Sequence, residues 1–385
     1  MRMKAVIAID SLKGSLTSME AGNAAKEGIL CAIPDAEVIV KPLADGGEGT
    51  TEALIDGLGG SYIQTPVTGP LGESVMATYG ILKDKTAVME MAEAAGMILV
   101  KGEELNPWKA TTYGVGEMIA DAIRKGCRNF LIGIGGSATT DGGVGMLQAL
   151  GCEFLSTEGK KIGYGIENLD QIATIHTEHF LPELSECHFQ IACDVKNPLY
   201  GENGAVYVFG PQKGVKEEEK EVLDKKMQYF AKMTREFLGT DYSQAEGAGA
   251  AGGLGFAFLS YLPNVELRSG IDLVLQAIGL ENQIKEADVV VTGEGRLDFQ
   301  TAMGKVPVGV AHLAKKYGKK VIAFAGSVTE DAGKCNEEGI DAFFSIVRGV
   351  TTLDEAMDKE TAKRNMKLSV EQVFRILLED NSVVM

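Results

Sequence analysis

The sequence lacks the signatures of the commonest catalytic machines. It has no GxxxxGKS or GxxxxGKT phosphate loop, no HRD or DFG pair, no GxSxG elbow and no HExxH helix. Their absence excludes most common hydrolases and the protein kinases. Cysteine is sparse: Cys31, Cys127, Cys152, Cys187, Cys193 and Cys335 stand apart, with no CxxC pair. That is the pattern of buried thiols in a reducing compartment, not of a disulfide framework or a structural zinc site. No apolar run approaches the roughly 20 residues of a membrane span. The apolar stretch Ala5–Ile9 that follows Lys4 is too short for the core of a signal peptide. Both features point to the cytoplasm. Positive charge is also in short supply, with 37 Lys and Arg against 54 Asp and Glu, a net charge of −17, and no basic stripe. Nucleic acid and anionic membrane surfaces are thereby excluded as partners. A small anionic substrate is not, because a few local lysines or arginines override the global field at short range.

Glycine, by contrast, is abundant at 48 of 385 residues. It is not periodic, and it gathers in short loops after apolar runs, where backbone can approach a ligand closely. Apolar β-branched runs at Ala5–Ile9, Glu37–Val40, Thr86–Met91, Asn129–Ile134, Phe189–Cys193, Asp288–Thr292, Lys320–Ala325 and Ala342–Val347 read as strands. Most are continuous and not alternating, as buried parallel strands are. Helices are expected at Ser18–Cys31 behind Thr17 as its cap, and at Gly145–Leu150, Lys216–Phe237, Leu273–Ile278, Pro307–Lys316 and Glu355–Leu378. Ser61–Met89, with Pro66, Gly69, Pro70 and Gly72, reads as an antiparallel hairpin region. The alternation predicts an α/β fold with a largely parallel sheet. Two lobes are expected: a discontinuous Rossmann-like domain over 1–60 and 265–385, and an inserted α/β domain over 61–264, with the active cleft between them.

Five segments share one habit, an apolar strand followed by glycine, hydroxyl and acidic residues. Ligands of parallel α/β sheets bind beyond the carboxyl ends of strands. Asp10-Ser11-Leu12-Lys13-Gly14-Ser15 puts a lysine and backbone amides where an anion could sit. Ala44-Asp45-Gly46-Gly47-Glu48-Gly49-Thr50 sets two carboxylates among three glycines, a choice suited to metal or substrate hydroxyls. Gly133–Gly143 has the bare amides and hydroxyls of a phosphate cradle. Its stretch Gly133–Ala138 also fits the loose dinucleotide pattern GxGxxA. That fingerprint, however, requires the helix to begin within the glycine turn, and here Thr139–Gly143 intervenes. Asp194 follows Phe189–Cys193 at a strand end, where a general base would stand. Glu294 and Asp298, with Thr301 and Lys305 beyond, are expected on a glycine turn after Asp288–Thr292 and suit an Mg²⁺–phosphate site. Gly247–Gly255 fits a backbone contact to ligand and a tight helix-packing hinge equally well.

Taken together, DSLKGS, ADGGEGT, PVTGPLG, IGGSATTDGG, CDVKNPL with FGPQKG, GAAGGLG, and VVTGEGRLDFQT with GKVPVGVA resemble the type 1 glycerate kinase family. They stand in the family's order and cover nearly the whole chain. Leu12 departs slightly, where phenylalanine is common. The resemblance implies ATP-dependent phosphorylation of D-glycerate with 2-phosphoglycerate as product, Mg²⁺ as cofactor, and a place in sugar-acid catabolism. Within that frame the residue chemistry suggests roles. Gly135, Gly136, Ser137 and Thr139, with Asp141 and Lys305, would hold the nucleotide phosphates. Lys13 would neutralise developing charge. Asp45, Glu294 and Asp298 would hold Mg²⁺, and Asp194 would align or deprotonate the acceptor hydroxyl, with Asp45 a further catalytic carboxylate. Asp10, Ser11 and Asn197 would contact substrate, and Arg296 would pair with its carboxylate in a bidentate fork. A homodimer is compatible with the sequence. The competing readings are a nicotinamide-dependent hydroxy-acid dehydrogenase, resting on Gly133–Ala138, and a non-catalytic hydroxy-acid binding protein.

Overall fold

The computed structural model describes residues 2–380. The chain divides into two compact units, one of Met1–Asp45, Glu52–Leu58 and Ile271–Met385, the other of Gly46–Thr51 and Gly59–Gly270. The strands in chain order are β1 (Lys4–Ile9), β2 (Glu37–Val40), β3 (Gly60–Thr68), β4 (Ser74–Leu82), β5 (Thr86–Glu90), β6 (Asn129–Gly133), β7 (Glu153–Leu155), β8 (Thr174–His176), β9 (His188–Ala192), β10 (Val265–Arg268), β11 (Val289–Leu297), β12 (Lys320–Val328) and β13 (Ala342–Ser345). The α/β class expected from the alternating pattern is the class observed.

The first unit is a five-stranded sheet in the order β13-β12-β11-β1-β2, parallel throughout. Ala5, Val6, Ile7 and Ala8 of β1 are all fully buried, as a central parallel strand covered on both faces must be. Helix Ser18–Ala32 starts at a capping box in which Thr17 and Glu20 satisfy each other's backbone amides. Its buried face, with Ala21, Ala25 and Ile29, joins Met366, Val370 and Phe374 of helix Lys359–Asp380 in one core cluster. The expected closing helix Glu355–Leu378 is in fact two, Leu353–Met357 and Lys359–Asp380. Asp358 divides them because its carboxylate accepts from the Thr361 amide and starts the second helix afresh.

A second correction bears on chemistry. β11 does not stop at Thr292 but runs on through Gly293-Glu294-Gly295-Arg296 to Leu297, in register with β12 from Val289↔Lys320 to Leu297↔Val328. The expected glycine turn is strand. Gly293 permits this: a Cβ there would lie 1.9 Å from the Phe324 carbonyl oxygen, so only glycine keeps the two strands paired.

The second unit carries a six-stranded mixed sheet, β10-β9-β6-β5-β4-β3, and a small antiparallel pair β7-β8. β3 and β4 form the expected antiparallel hairpin, from Gly60↔Leu82 to Thr68↔Ser74, while β5, β6, β9 and β10 are parallel. Gly46–Thr51 belongs to this unit because the Glu90 carboxylate at the end of β5 accepts from the amides of Gly49 (3.3 Å) and Thr51 (2.9 Å). Helices Tyr113–Arg124, Val144–Ala149, Lys220–Leu238 and Ala250–Tyr261 enclose a core that includes Phe130, Phe154, Phe189, Phe230 and Phe258. Among the described residues no helix is long and apolar enough to cross a membrane.

Candidate active site

In the first unit, a 430 Å³ pocket opens beyond the carboxyl ends of β1 and β11. Its lining gathers Asp10, Ser11, Lys13, Asp45, Glu294, Arg296, Asp298 and Lys305, residues separated by nearly three hundred positions in sequence. The strands explain the convergence. β1 ends at Ile9, so Asp10 and the Leu12–Leu16 turn follow at the sheet edge, and β11 pairs directly with β1. Glu294 and Arg296 are two apart on β11 and therefore project to one face.

The electrostatics of this pocket are unbalanced towards negative charge. Burial pushes the Asp10 carboxyl up to about 7, with Asp45 adding like-charge repulsion. Glu294 is likewise raised, chiefly by burial, while the Thr301 hydroxyl that donates to it works the other way. Asp298 caps helix Phe299–Ala302 by accepting from the Gln300 amide at 2.9 Å. Arg296, mostly exposed, lies 3.6 Å from Asp298. Asp45, Glu294 and Asp298 line the pocket together but do not close into a metal cage. Among the described residues, no three of His, Cys, Asp and Glu do so. The reason is visible in two of them: Glu294 is held by Thr301, and Asp298 is engaged in its cap.

In the second unit, the Gly135–Thr140 loop follows β6. Gly135 and Gly136 are exposed, and Ser137 is buried just behind them. Two of the expected nucleotide contacts are buried here. Asp141 is fully buried and accepts from Thr112 N (2.8 Å), Thr112 Oγ1 (2.9 Å), Gly143 N (3.1 Å) and Gly145 N (3.2 Å), so its carboxylate fixes the loop. Thr139 is also fully buried, and its hydroxyl faces the interior without a hydrogen-bond partner. The Gly247–Gly255 segment is a packing hinge. Ala251, Gly252 and Gly253 take left-handed φ values of 51°, 67° and 95°, and a Cβ on Gly252 would lie 2.1 Å from the Thr139 carbonyl. Asp194 is exposed beyond β9 and accepts from the Gly270 amide at 2.9 Å. Asn197 donates to the Asn203 carbonyl.

Sequence reasoning overlooked two buried charges in this unit. Lys213, 1% exposed, donates to Ser137 Oγ (2.7 Å) and to the Thr139 carbonyl (2.6 Å). Burial lowers its amine to about 7, against a counteracting pull from Asp141. The signal was the FGPQKG segment, but a lysine between glutamine and glycine reads as solvated. Glu90 is the other, and only its place at a strand end hinted at the amides it binds.

The Gly133–Ala138 stretch lacks the dinucleotide arrangement, since the helix after β6 begins only at Val144. Comparison with known proteins decides the lineage. The model of the glycerate kinase family matches residues 5–378. The chain belongs to the glycerate kinase family. Glycerate 2-kinase of Escherichia coli K12 is 47% identical over 355 residues, 92% of this chain and 93% of that one. Glycerate kinase of Bacillus subtilis 168 is 47% identical over 357 residues, with the same shares covered. A crystal structure from Salmonella typhimurium LT2, assigned to glycerate kinase 2, superposes with a TM-score of 0.91 at 42% identity, covering 99% of this chain and all of that one. As a member of that family the chain is a kinase that uses a nucleotide and acts on a small molecule.

Proposed function

We propose that the protein transfers the terminal phosphoryl group of ATP to D-glycerate in the presence of Mg²⁺, forming 2-phospho-D-glycerate. The observation that carries the reading is the family match across residues 5–378, together with relatives named for this activity at nearly half identity. Nothing in the fold favours the dehydrogenase or the non-catalytic binding protein.

Phosphoryl transfer asks little covalent chemistry of a protein and much positioning and charge neutralisation. Lys13 and Lys305, both on the pocket wall, supply positive charge against phosphate oxygens. Gly135 and Gly136 offer exposed backbone amides, with the Ser137 hydroxyl, which accepts from Lys213, buried just behind them. Arg296 offers a planar fork to the acceptor carboxylate, exchanging its present neighbour Asp298. Asp10, Ser11 and Asn197 are further polar contacts for the substrate. Asp194, exposed at its strand end, takes or aligns the hydroxyl proton.

Mg²⁺ fits this donor set in a particular way. It keeps several waters and uses one or two carboxylates together with phosphates, so an all-protein cage is not required. Asp45, Glu294 and Asp298 would serve, and with Asp10 they put four carboxyl groups on one pocket wall, whose negative charge a divalent cation would offset. When bound, the ion neutralises charge on the transferring group. The test is to incubate the pure protein with ATP, Mg²⁺ and D-glycerate and identify the product by NMR. The 2-phosphate is expected; the 3-phosphate would overturn the regiochemistry, and no phosphoglycerate at all would overturn the activity.

A further inference from the structure

The first unit's pocket has a wall that phosphate and carboxylate chemistry leaves unexplained. Opposite in character to its acidic residues, it is also lined by Ile346, Val347, Leu353, Ala356 and Met357. We propose that this apolar wall holds the purine base of the nucleoside triphosphate, an inference that rests on the kinase reading of the same pocket.

Size is the first argument. A cavity of 430 Å³ is several times what a three-carbon acid fills, and it falls in the range of roughly 300–1,000 Å³ that larger organic ligands occupy. Chemistry is the second. Glycerate carries a carboxylate and hydroxyls, which gain nothing from aliphatic and thioether side chains. A purine ring is planar, uncharged and costly to leave in water, and such a wall buries it. Exposure is the third. Leu353 is 73% exposed and Met357 36%, and neighbouring Val350 is fully exposed. Three large apolar residues stand uncovered within eight positions.

The wall is also held in place. Thr352 and Glu355 cap helix Leu353–Met357 reciprocally. Met357 Cε occupies the space that a Cβ on Gly14 would need, which ties the helix to the turn after β1. In the sheet, β13 lies two strands from β11, about 10 Å at ordinary strand spacing. Ile346 and Val347 follow β13, whereas Glu294 and Arg296 stand on β11. Ile346 and Val347 are thus separated from the charges on β11 by a distance that the sugar and phosphates of a nucleotide would bridge.

Two variants test this, Leu353→Asp and Ala356→Trp. The helix is short, with Leu353 exposed and Ala356 half-buried, and an unchanged melting temperature checks that each variant folds. The probe is a ribose-labelled fluorescent ADP, titrated without acceptor, alongside inorganic triphosphate as a base-free competitor. Each variant is expected to lose nucleotide affinity by about tenfold or more. Competition by inorganic triphosphate against labelled nucleotide should strengthen correspondingly, its own affinity being unchanged, and the KM for D-glycerate should hold. Nucleotide affinity within about twofold of wild type in both variants would overturn the proposal. So would equal losses for nucleotide and inorganic triphosphate, or a wild type that binds no nucleotide. If nucleotide binds and is lost as expected while no phosphoglycerate forms, the base site stands and the glycerate reading falls.

Discussion

Replacing Lys213 by methionine removes a fully buried ammonium while nearly keeping its length. In the folded protein the amine is lowered from 10.5 to about 7. An unfolded chain therefore binds this proton below pH 10.5, and the folded one only below about 7. The sign follows directly: between those values protonation favours the unfolded state, so wild-type stability rises with pH, and below about 7 the cost is constant. At about 1.36 kcal/mol per pH unit the full cost is about 5 kcal/mol, and it shrinks by about 2 kcal/mol between pH 7 and pH 9. The methionine variant has no such proton. It does leave Ser137 Oγ and the Thr139 carbonyl without their donor, but that cost does not vary with pH. Urea unfolding of both proteins at pH 7 and 9 should show the stability of wild type gaining about 2 kcal/mol on the variant. Parallel pH dependence in the two proteins would refute a buried, depressed amine at this position.

Asp10→Asn should show the opposite sign: with its carboxyl raised from 3.8 to about 7, wild type loses about 3 kcal/mol relative to the variant as pH rises from 4 to 7, again by urea unfolding. Asp141→Asn should destabilise the fold, lowering the melting temperature, yet leave the nucleotide KM of the surviving protein nearly unchanged; a selective loss of nucleotide binding would restore a ligand role to this residue. Lys13→Ala should lower turnover by about 100-fold with stability within about 0.5 kcal/mol of wild type, because the side chain is exposed; unchanged kinetics would return it to a solvated turn. Asp194→Asn should lower the single-turnover rate by about 100-fold or more while calorimetric nucleotide affinity holds, and the reverse pattern would make Asp194 a metal ligand.

Several strands were legible because a strand buried on both faces leaves a continuous apolar run, and β1, β5, β6 and β12 appear where those runs stand. Where the apolar run ended but pairing did not, the sequence misled. Gly293-Glu294-Gly295-Arg296 has a turn's composition, and only the close approach of the Phe324 carbonyl shows why glycine is needed inside a strand. Short elements such as β7, β8 and β10 carry too few residues to show a period. The site followed the same logic. Asp10 and Lys13 after β1 meet Glu294 and Arg296 in one pocket because β1 ends opposite Gly293 and β11 runs on beside it. Asp141, drawn from an equally suggestive loop, turns inward, because four nearby donors satisfy a carboxylate better than an open cleft would.

The inward turn of Asp141 also explains why Lys213 escaped notice. A charge announces itself in sequence when it belongs to a recognisable pair or loop, whereas Lys213 is separated from Ser137 and Asp141 by more than seventy residues and meets them only once β6, its loop and the Pro211–Lys213 turn are assembled. Asp10 and Lys213 are then moved towards neutrality from opposite sides, a carboxyl raised and an amine lowered, each by burial above all. Burial of this kind costs stability in the absence of a ligand, and apolar replacements of similar size would avoid the cost. A fold that retains both carries one group whose charged form a cation would favour and one whose charged form an anion would favour.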